Sequence, residues 1–137
     1  MRRNTLTGSP LLEADITNPV IGAFYAVYND LGFGFLESIY ANALAVELQY
    51  RGLSYSREVP ADVVYRGVPV GLCRFDMIVE GRVLVEIKST KAIIAADERQ
   101  IQNYLKASSV EVGLWLHFGP EPKPRRFILT NDRKRRS

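Results

Sequence analysis

The chain has 137 residues, 47% of them apolar, with one cysteine, one histidine and a formal charge of +3. That is enough for a single compact domain with a buried core, and too few cysteines for an intramolecular disulfide or a multi-cysteine zinc site. No apolar run approaches a membrane span, and the first residues, MRRNTLTGSP, lack the apolar stretch of a signal peptide, so a soluble cytoplasmic protein without a membrane partner is expected.

Residues 1–17 read as an irregular segment, with Gly8-Ser9-Pro10 as a breaker. Asn18-Pro19 reads as a helix entry, a capping residue before Pro at the first helical position. Val20, Ile21, Phe24, Val27, Tyr28 and Leu31 then recur at helical spacing until Gly32-Phe33-Gly34 interrupts them. A second helix carries Leu36, Ile39, Tyr40, Ala43, Leu44, Val46, Glu47 and Leu48, and Gly52 ends it. From Ser54 the period changes to two. Residues 54–65 and 68–79 read as strands around Arg66-Gly67, and residues 83–89 as a third. Residues 97–107 are helical, with Ile101, Tyr104 and Leu105 facing a core. Residues 111–118 form a buried strand in which Trp115 alternates with Leu114 and Leu116. The proline-rich stretch 119–124 reads as a loop, and residues 126–130 as a short last strand. The expected architecture is one α/β domain over residues 18–130, a central mixed sheet flanked by helices. Residues 131–137 are a basic tail: Arg133, Lys134, Arg135 and Arg136 put four positive charges in the last five residues, and without them 14 basic residues face 15 acidic ones. Such a tail is a candidate phosphate-binding element, or a solvated terminus.

The hairpin from Asp76 to Lys88 carries the chemistry. Glu86 and Lys88 are two apart in a strand and emerge from one face, with Val85 and Ile87 on the other. Charges on an otherwise apolar strand are costly unless solvated, paired or used. A three-residue loop, Val79-Glu80-Gly81, with Gly81 left-handed, would pair Asp76 with Leu84 and put it on the face of Glu86 and Lys88; a two-residue loop would send it to the opposite face. The odd-numbered loop is expected, so that an Asp, a Glu and a Lys converge. Glu37, near the start of the second helix and three residues before Tyr40, and Gln100 with Tyr104, four apart on the later helix, lie where helices should meet the sheet.

These residues resemble a known family. Gly34-Phe35-Leu36-Glu37-Ser38-Ile39-Tyr40 matches the G-x-x-E-x-x-Y motif that names the GxxExxY proteins. Val85-Glu86-Ile87-Lys88 is similar to that family's E-x-K strand, residues 100–107 to its Q-x-x-N-Y-L-K segment, and residues 113–119 to its G-L-L-x-N-F-G ending. The family is grouped with the PD-(D/E)XK nuclease superfamily, whose restriction-endonuclease-like core has the order αβββαβ. The resemblance implies that Asp76, Glu86 and Lys88 stand for the D, D/E and K of that name. It places Glu37 as the acidic residue of the preceding helix, and Gln100 with Tyr104 as the Q-x-x-x-Y pair of the exonuclease-like branch. It further implies a divalent-metal-dependent nuclease acting on nucleic acid, DNA before RNA. Mg²⁺ or Mn²⁺ would be held by Asp76, Glu86, the Ile87 carbonyl and Glu37. Lys88 would orient or help deprotonate the attacking water and offset charge on the phosphate. Tyr28 and His117 stand where the family often has His and Asn. Arg74, Arg126 and the tail residues Arg133 to Arg136 are candidate nucleic-acid contacts, and a homodimer or a partner protein would supply what so small a chain lacks. The alternative reading is a non-cleaving nucleic-acid-binding or accessory subunit that keeps the nuclease fold.

Overall fold

A computed structural model describes residues 11–92 and 94–134. Gly8-Ser9-Pro10, Arg135 and Arg136 lie outside the described residues.

Among the described residues three helices and five strands follow one another as α1 (Ala14–Leu31), α2 (Glu37–Tyr50), β1 (Tyr55–Tyr65), β2 (Val68–Val79), β3 (Val83–Lys88), α3 (Ala95–Ala107), β4 (Val112–Phe118) and β5 (Pro122–Ile128), closed by a 3₁₀ turn at Asn131–Arg133. The strands lie in sequence order in one sheet. Only β3 and β4 run parallel, the pair that α3 connects; the other pairings are antiparallel. The fold is therefore a mixed α/β sheet between helices, consistent with a restriction-endonuclease-like core.

Side-chain parity sorts the sheet into two cores. Met77, Val79, Val83, Val85, Ile87, Leu114, Leu116 and Phe118 meet the apolar faces of α1 and α2. Phe75, Leu84 and Trp115 meet Ile101 and Leu105 of α3 on the opposite face. Within the first core Tyr40 stacks on Phe118 with ring centroids 4.2 Å apart, and Phe24 meets the same ring edge-on.

Two boundaries differ from the sequence expectation by four residues each, and the others by no more than two. α1 begins at Ala14 rather than at Asn18-Pro19, so Pro19 sits inside the helix. Ile16 and Thr17 are buried against the sheet, and that burial extends the helix through a position that Pro usually opens. β5 begins at Pro122, within the stretch expected to be a loop. It is an edge strand, where a residue without an N–H is tolerated on the unpaired side, and Pro122 and Pro124 pair with Phe118 and Leu116. Leu36 precedes α2 instead of lying on it, and it and Ile39 and Val46 of α2 are exposed rather than core-facing.

Candidate active site

The β2–β3 ladder runs through Val79↔Val83, Ile78↔Leu84 and Met77↔Val85. The loop is Glu80-Gly81-Arg82, three residues as expected but one position later in the chain, so that Asp76 comes level with Glu86 instead of Leu84. The cause is Val79, fully buried against α1 and α2, which belongs to the strand and not to the turn. Glu80 and Gly81 both take left-handed backbone, φ 54° and 67°. Ser54 holds the Glu80 carboxylate through its N–H and hydroxyl at 2.7 and 3.0 Å.

Beyond Met77 the backbone ladder gives way to side chains. Glu86 Oε2 accepts the Asp76 N–H at 2.8 Å, and Asp76 Oδ2 accepts the Ile87 N–H at 2.8 Å. Each carboxylate takes the place of a ladder carbonyl, which leaves Asp76 Oδ1 and Glu86 Oε1 outside these bonds. Opposite Asp76 on β1, between Arg57↔Met77 and Val59↔Phe75, Glu58 is left-handed at φ 52°. The alternation of β2 breaks at the same level. Cys73 and Phe75 pack with α3, yet so does Ile78, while Met77 and Val79 face the other core. A non-glycine residue in this region is strained, and here the strain lies at the fork where the carboxylates meet. Nothing in the sequence marks Glu58 for it.

Burial and mutual repulsion govern the charge state. Glu86 is only 4% exposed; desolvation first, and the Asp76 carboxylate second, push its carboxyl up to about 8. Asp76 is also raised, by desolvation and by Glu37, against the lowering effects of the Ile87 N–H and Lys88. Half-buried Lys88 attracts both carboxylates but forms no salt bridge with a described residue. Two facing carboxylates, Glu86 buried and Asp76 half-buried, each with one oxygen outside these bonds, suit a hard divalent cation. Among the described residues no group of three or more His, Cys, Asp or Glu is placed to enclose a metal. The donor set therefore fits an ion bound by one or two carboxylates that keeps several waters, as Mg²⁺ does, and does not fit an all-protein cage.

Glu37 is exposed at the first position of α2. It approaches the site through Ser89, just after Lys88: the Ser89 N–H reaches Glu37 Oε1 at 3.4 Å and the Ser89 hydroxyl donates to the Phe35 carbonyl at 2.9 Å. Tyr40 shapes this loop from inside the core. Its hydroxyl donates to the Gly32 carbonyl and accepts the Phe35 N–H at 3.2 Å. Gly34, at φ 117°, allows the chain to turn there. The spacing G-x-x-E-x-x-Y thus has a mechanical meaning: a Gly bend, an acidic side chain carried toward the sheet, and a buried phenol that fixes the loop. Replacing Tyr40 by Phe is expected to destabilise the protein by about 1–3 kcal/mol, because the loop's carbonyl and N–H lose a buried partner. Urea denaturation of both proteins measures it, and equal midpoints and slopes would refute the role.

On the α3 side Gln100 Nε2 donates to Tyr104 Oη at 3.1 Å. The Tyr104 phenol is raised by burial and then by Glu86, Cys73 and Asp76, so it shares the field of the site. It also packs against Phe75, with ring centroids 5.2 Å apart.

The remaining candidate residues fall elsewhere. Arg74 is exposed between Cys73 and Phe75, which both turn toward α3, so it projects from the other side of the hairpin. Arg126 pairs with Leu114 and shares that residue's face, opposite Glu86 and Trp115, where its guanidinium donates to the Leu12 carbonyl. Arg133 lies in the terminal 3₁₀ turn, and Lys134 Nζ donates to the Ser108 and Val110 carbonyls at 2.9 and 2.7 Å, which fastens the start of the tail to the end of α3. Tyr28 Oη lies 2.8 Å from the carbonyls of both Gly119 and Pro120 and ties α1 to the β4–β5 turn.

No protein of curated function matches the sequence. Among solved structures, that of SSO0001 superposes with a TM-score of 0.56 at 21% identity, over 86% of this chain and 59% of that one, a likeness of fold. This chain spans under two thirds of that protein. The model of the PD-(D/E)XK nuclease superfamily matches residues 14–127, from the first turn of α1 to the penultimate residue of β5. With an Asp on β2 joined to a Glu-x-Lys on β3 at the fork of such a sheet, the chain belongs to the PD-(D/E)XK nuclease superfamily.

Proposed function

We propose that the protein is a divalent-metal-dependent nuclease of the GxxExxY group, cleaving phosphodiester bonds of nucleic acid, DNA before RNA. The observation that carries this reading is the reciprocal bonding of Asp76 and Glu86, which holds two carboxylates face to face with one oxygen each left over. In this reading Asp76 and Glu86 hold Mg²⁺ or Mn²⁺, with the Ile87 carbonyl beside them and Glu37 reaching the ion through water. The bound ion would supply charge stabilisation for the crowded phosphate oxygens of the transition state. Lys88 holds the attacking water and offsets charge on the phosphate as the new P–O bond forms and the ester P–O bond breaks. Tyr104, oriented by Gln100, lies over the same face and positions Lys88 or the phosphate backbone. Arg133 and the end of the tail would contact the nucleic acid farther out, and a second copy or a partner protein would extend the surface. Arg74 and Arg126 project from the side of the sheet opposite Glu86, away from the scissile phosphate.

The test is a substrate panel. Labelled single-stranded DNA, duplex DNA and RNA are incubated with Mg²⁺, Mn²⁺ or chelator. Cleavage of at least one substrate with a cation, and none with chelator, is the expected result. Binding without cleavage under every cation would replace the enzyme by an accessory module.

A further inference from the structure

The proposed reaction uses Lys88 but none of the side chains level with it in the sheet. Register carries Lys88 onto His117 of β4, and His117 onto Lys123 of β5. Paired residues project from one face, so Lys88, His117 and Lys123 form a lateral row on the side of Glu86 and Trp115. With neighbouring strands about 4.8 Å apart, the Lys123 backbone stands on the order of 10 Å from that of Lys88. The row ends in a cavity of about 380 Å³ lined by Lys91, Ala92, His117, Pro120, Glu121 and Lys123.

The cavity wall is built, not incidental. His117 is 3% exposed and stacks on Trp115 with the rings 3° from parallel. Its Nε2 lies 2.7 Å from the Thr90 carbonyl, which fixes the segment that carries Lys91. Its Nδ1 is buried without a hydrogen-bond partner. A Cβ on Gly119 would come within 2.5 Å of the imidazole, so the ring fills the space that any other residue there would need. Lys91 and Lys123 are exposed, and neither forms a salt bridge with a described carboxylate, although Glu121 lines the same cavity. Two lysines without a salt bridge lining one concavity, one or two nucleotide steps from Lys88, have the chemistry of a backbone-phosphate site.

We propose that this cavity binds a non-scissile phosphate of the substrate strand, flanking the one cleaved at Asp76 and Glu86. Lys91 and Lys123 neutralise it, and His117 holds Lys91 in place through Thr90. The inference rests on the nuclease reading for the position of the scissile phosphate, and it names the substrate as a strand long enough to fill both sites.

The test compares the wild type with the Lys91→Ala/Lys123→Ala double variant and with the Lys91→Arg/Lys123→Arg control. Binding of a short labelled single-stranded DNA is followed with chelator present across a salt series. Turnover with the cation is followed on the same DNA and on a nucleotide p-nitrophenyl diester, which has only one phosphate. The alanine variant is expected to bind about tenfold more weakly at low salt, with the slope of log K against log salt reduced by about 0.7, the value for one lost phosphate contact on a single strand. Its KM for the DNA rises while turnover of the diester is unchanged, and the arginine variant restores wild-type binding. An unchanged slope and affinity would overturn the subsite, as would a fall in diester turnover equal to that on DNA. Since binding is read without cleavage, the two readings separate. A lysine-dependent slope without cleavage by any cation removes the nuclease reading alone, and cleavage with an unchanged slope removes the subsite alone.

Discussion

Replacing Glu86 by Gln is expected to lower cleavage at least about a thousandfold, roughly 4 kcal/mol of barrier, and at the same time to stabilise the cation-free protein at alkaline pH. The two effects have one cause. The fold keeps the Glu86 carboxyl protonated up to about 8, whereas its ordinary value is 4.5. Between those values the native state retains a proton that the unfolded chain has already lost. Stability without a cation therefore falls as pH rises through that window, by an amount on the order of a few kcal/mol at its top. Asp76, raised in the same direction, adds to the fall. Gln cannot ionise, yet its amide oxygen still accepts the Asp76 N–H, so the variant's stability should depend on pH much less. Urea denaturation with chelator at pH values near 5 and 8 reads this directly. Mg²⁺ should restore the wild type at the higher pH, by roughly 2.7 kcal/mol when it is in hundredfold excess over its dissociation constant, and should do little for the variant. A wild type whose stability rises toward pH 8 with chelator present would contradict the assignment of a repelling carboxylate pair.

The second large effect is expected at Lys88. Lys88→Met keeps the length and apolar stem of the side chain and removes the charge. Cleavage should drop by about 10²–10⁴-fold while cation binding by Asp76 and Glu86 is kept or slightly weakened. The split separates a group that acts on water and phosphate from one that merely holds the strand. Lys88 forms no salt bridge with a described carboxylate, so its loss breaks no bonded pair and the fold should stand, although Asp76 and Glu86 lose the charge that attracts them. Calorimetric titration of Mn²⁺ beside a single-turnover assay makes the comparison; equal losses in both would make Lys88 a structural residue.

Much of this was legible in the sequence because it depends on period and spacing. The alternation in residues 83–88 and the helical repeats in residues 20–31 and 37–50 are local signals, and burial reinforces them. The three-residue loop at Gly81 was legible too, but its position was not. Whether Val79 belongs to the turn or to the strand depends on the core it meets, and α1 and α2 decide that from far away in the chain. Prolines misled at residues 122 and 124, because the unpaired side of an edge strand can be recognised only once the strand order is known. The left-handed Glu58 and the row Lys88–His117–Lys123 were invisible for the same reason: each exists only through register between strands. Glu37 and Tyr40 were marked by motif, but the division of labour between them, one exposed beside Ser89 and the other a buried clamp, required the loop geometry.

The measurement that bears most directly on the central claim is cleavage of the best substrate of the panel by wild type and by Asp76→Ala, each with Mg²⁺ and with chelator, at matched protein and matched folding. The Asp76–Glu86 fork predicts cleavage in one of the four conditions, wild type with the cation. Cleavage that persists with chelator, or that Asp76→Ala retains at the wild-type rate, would contradict it.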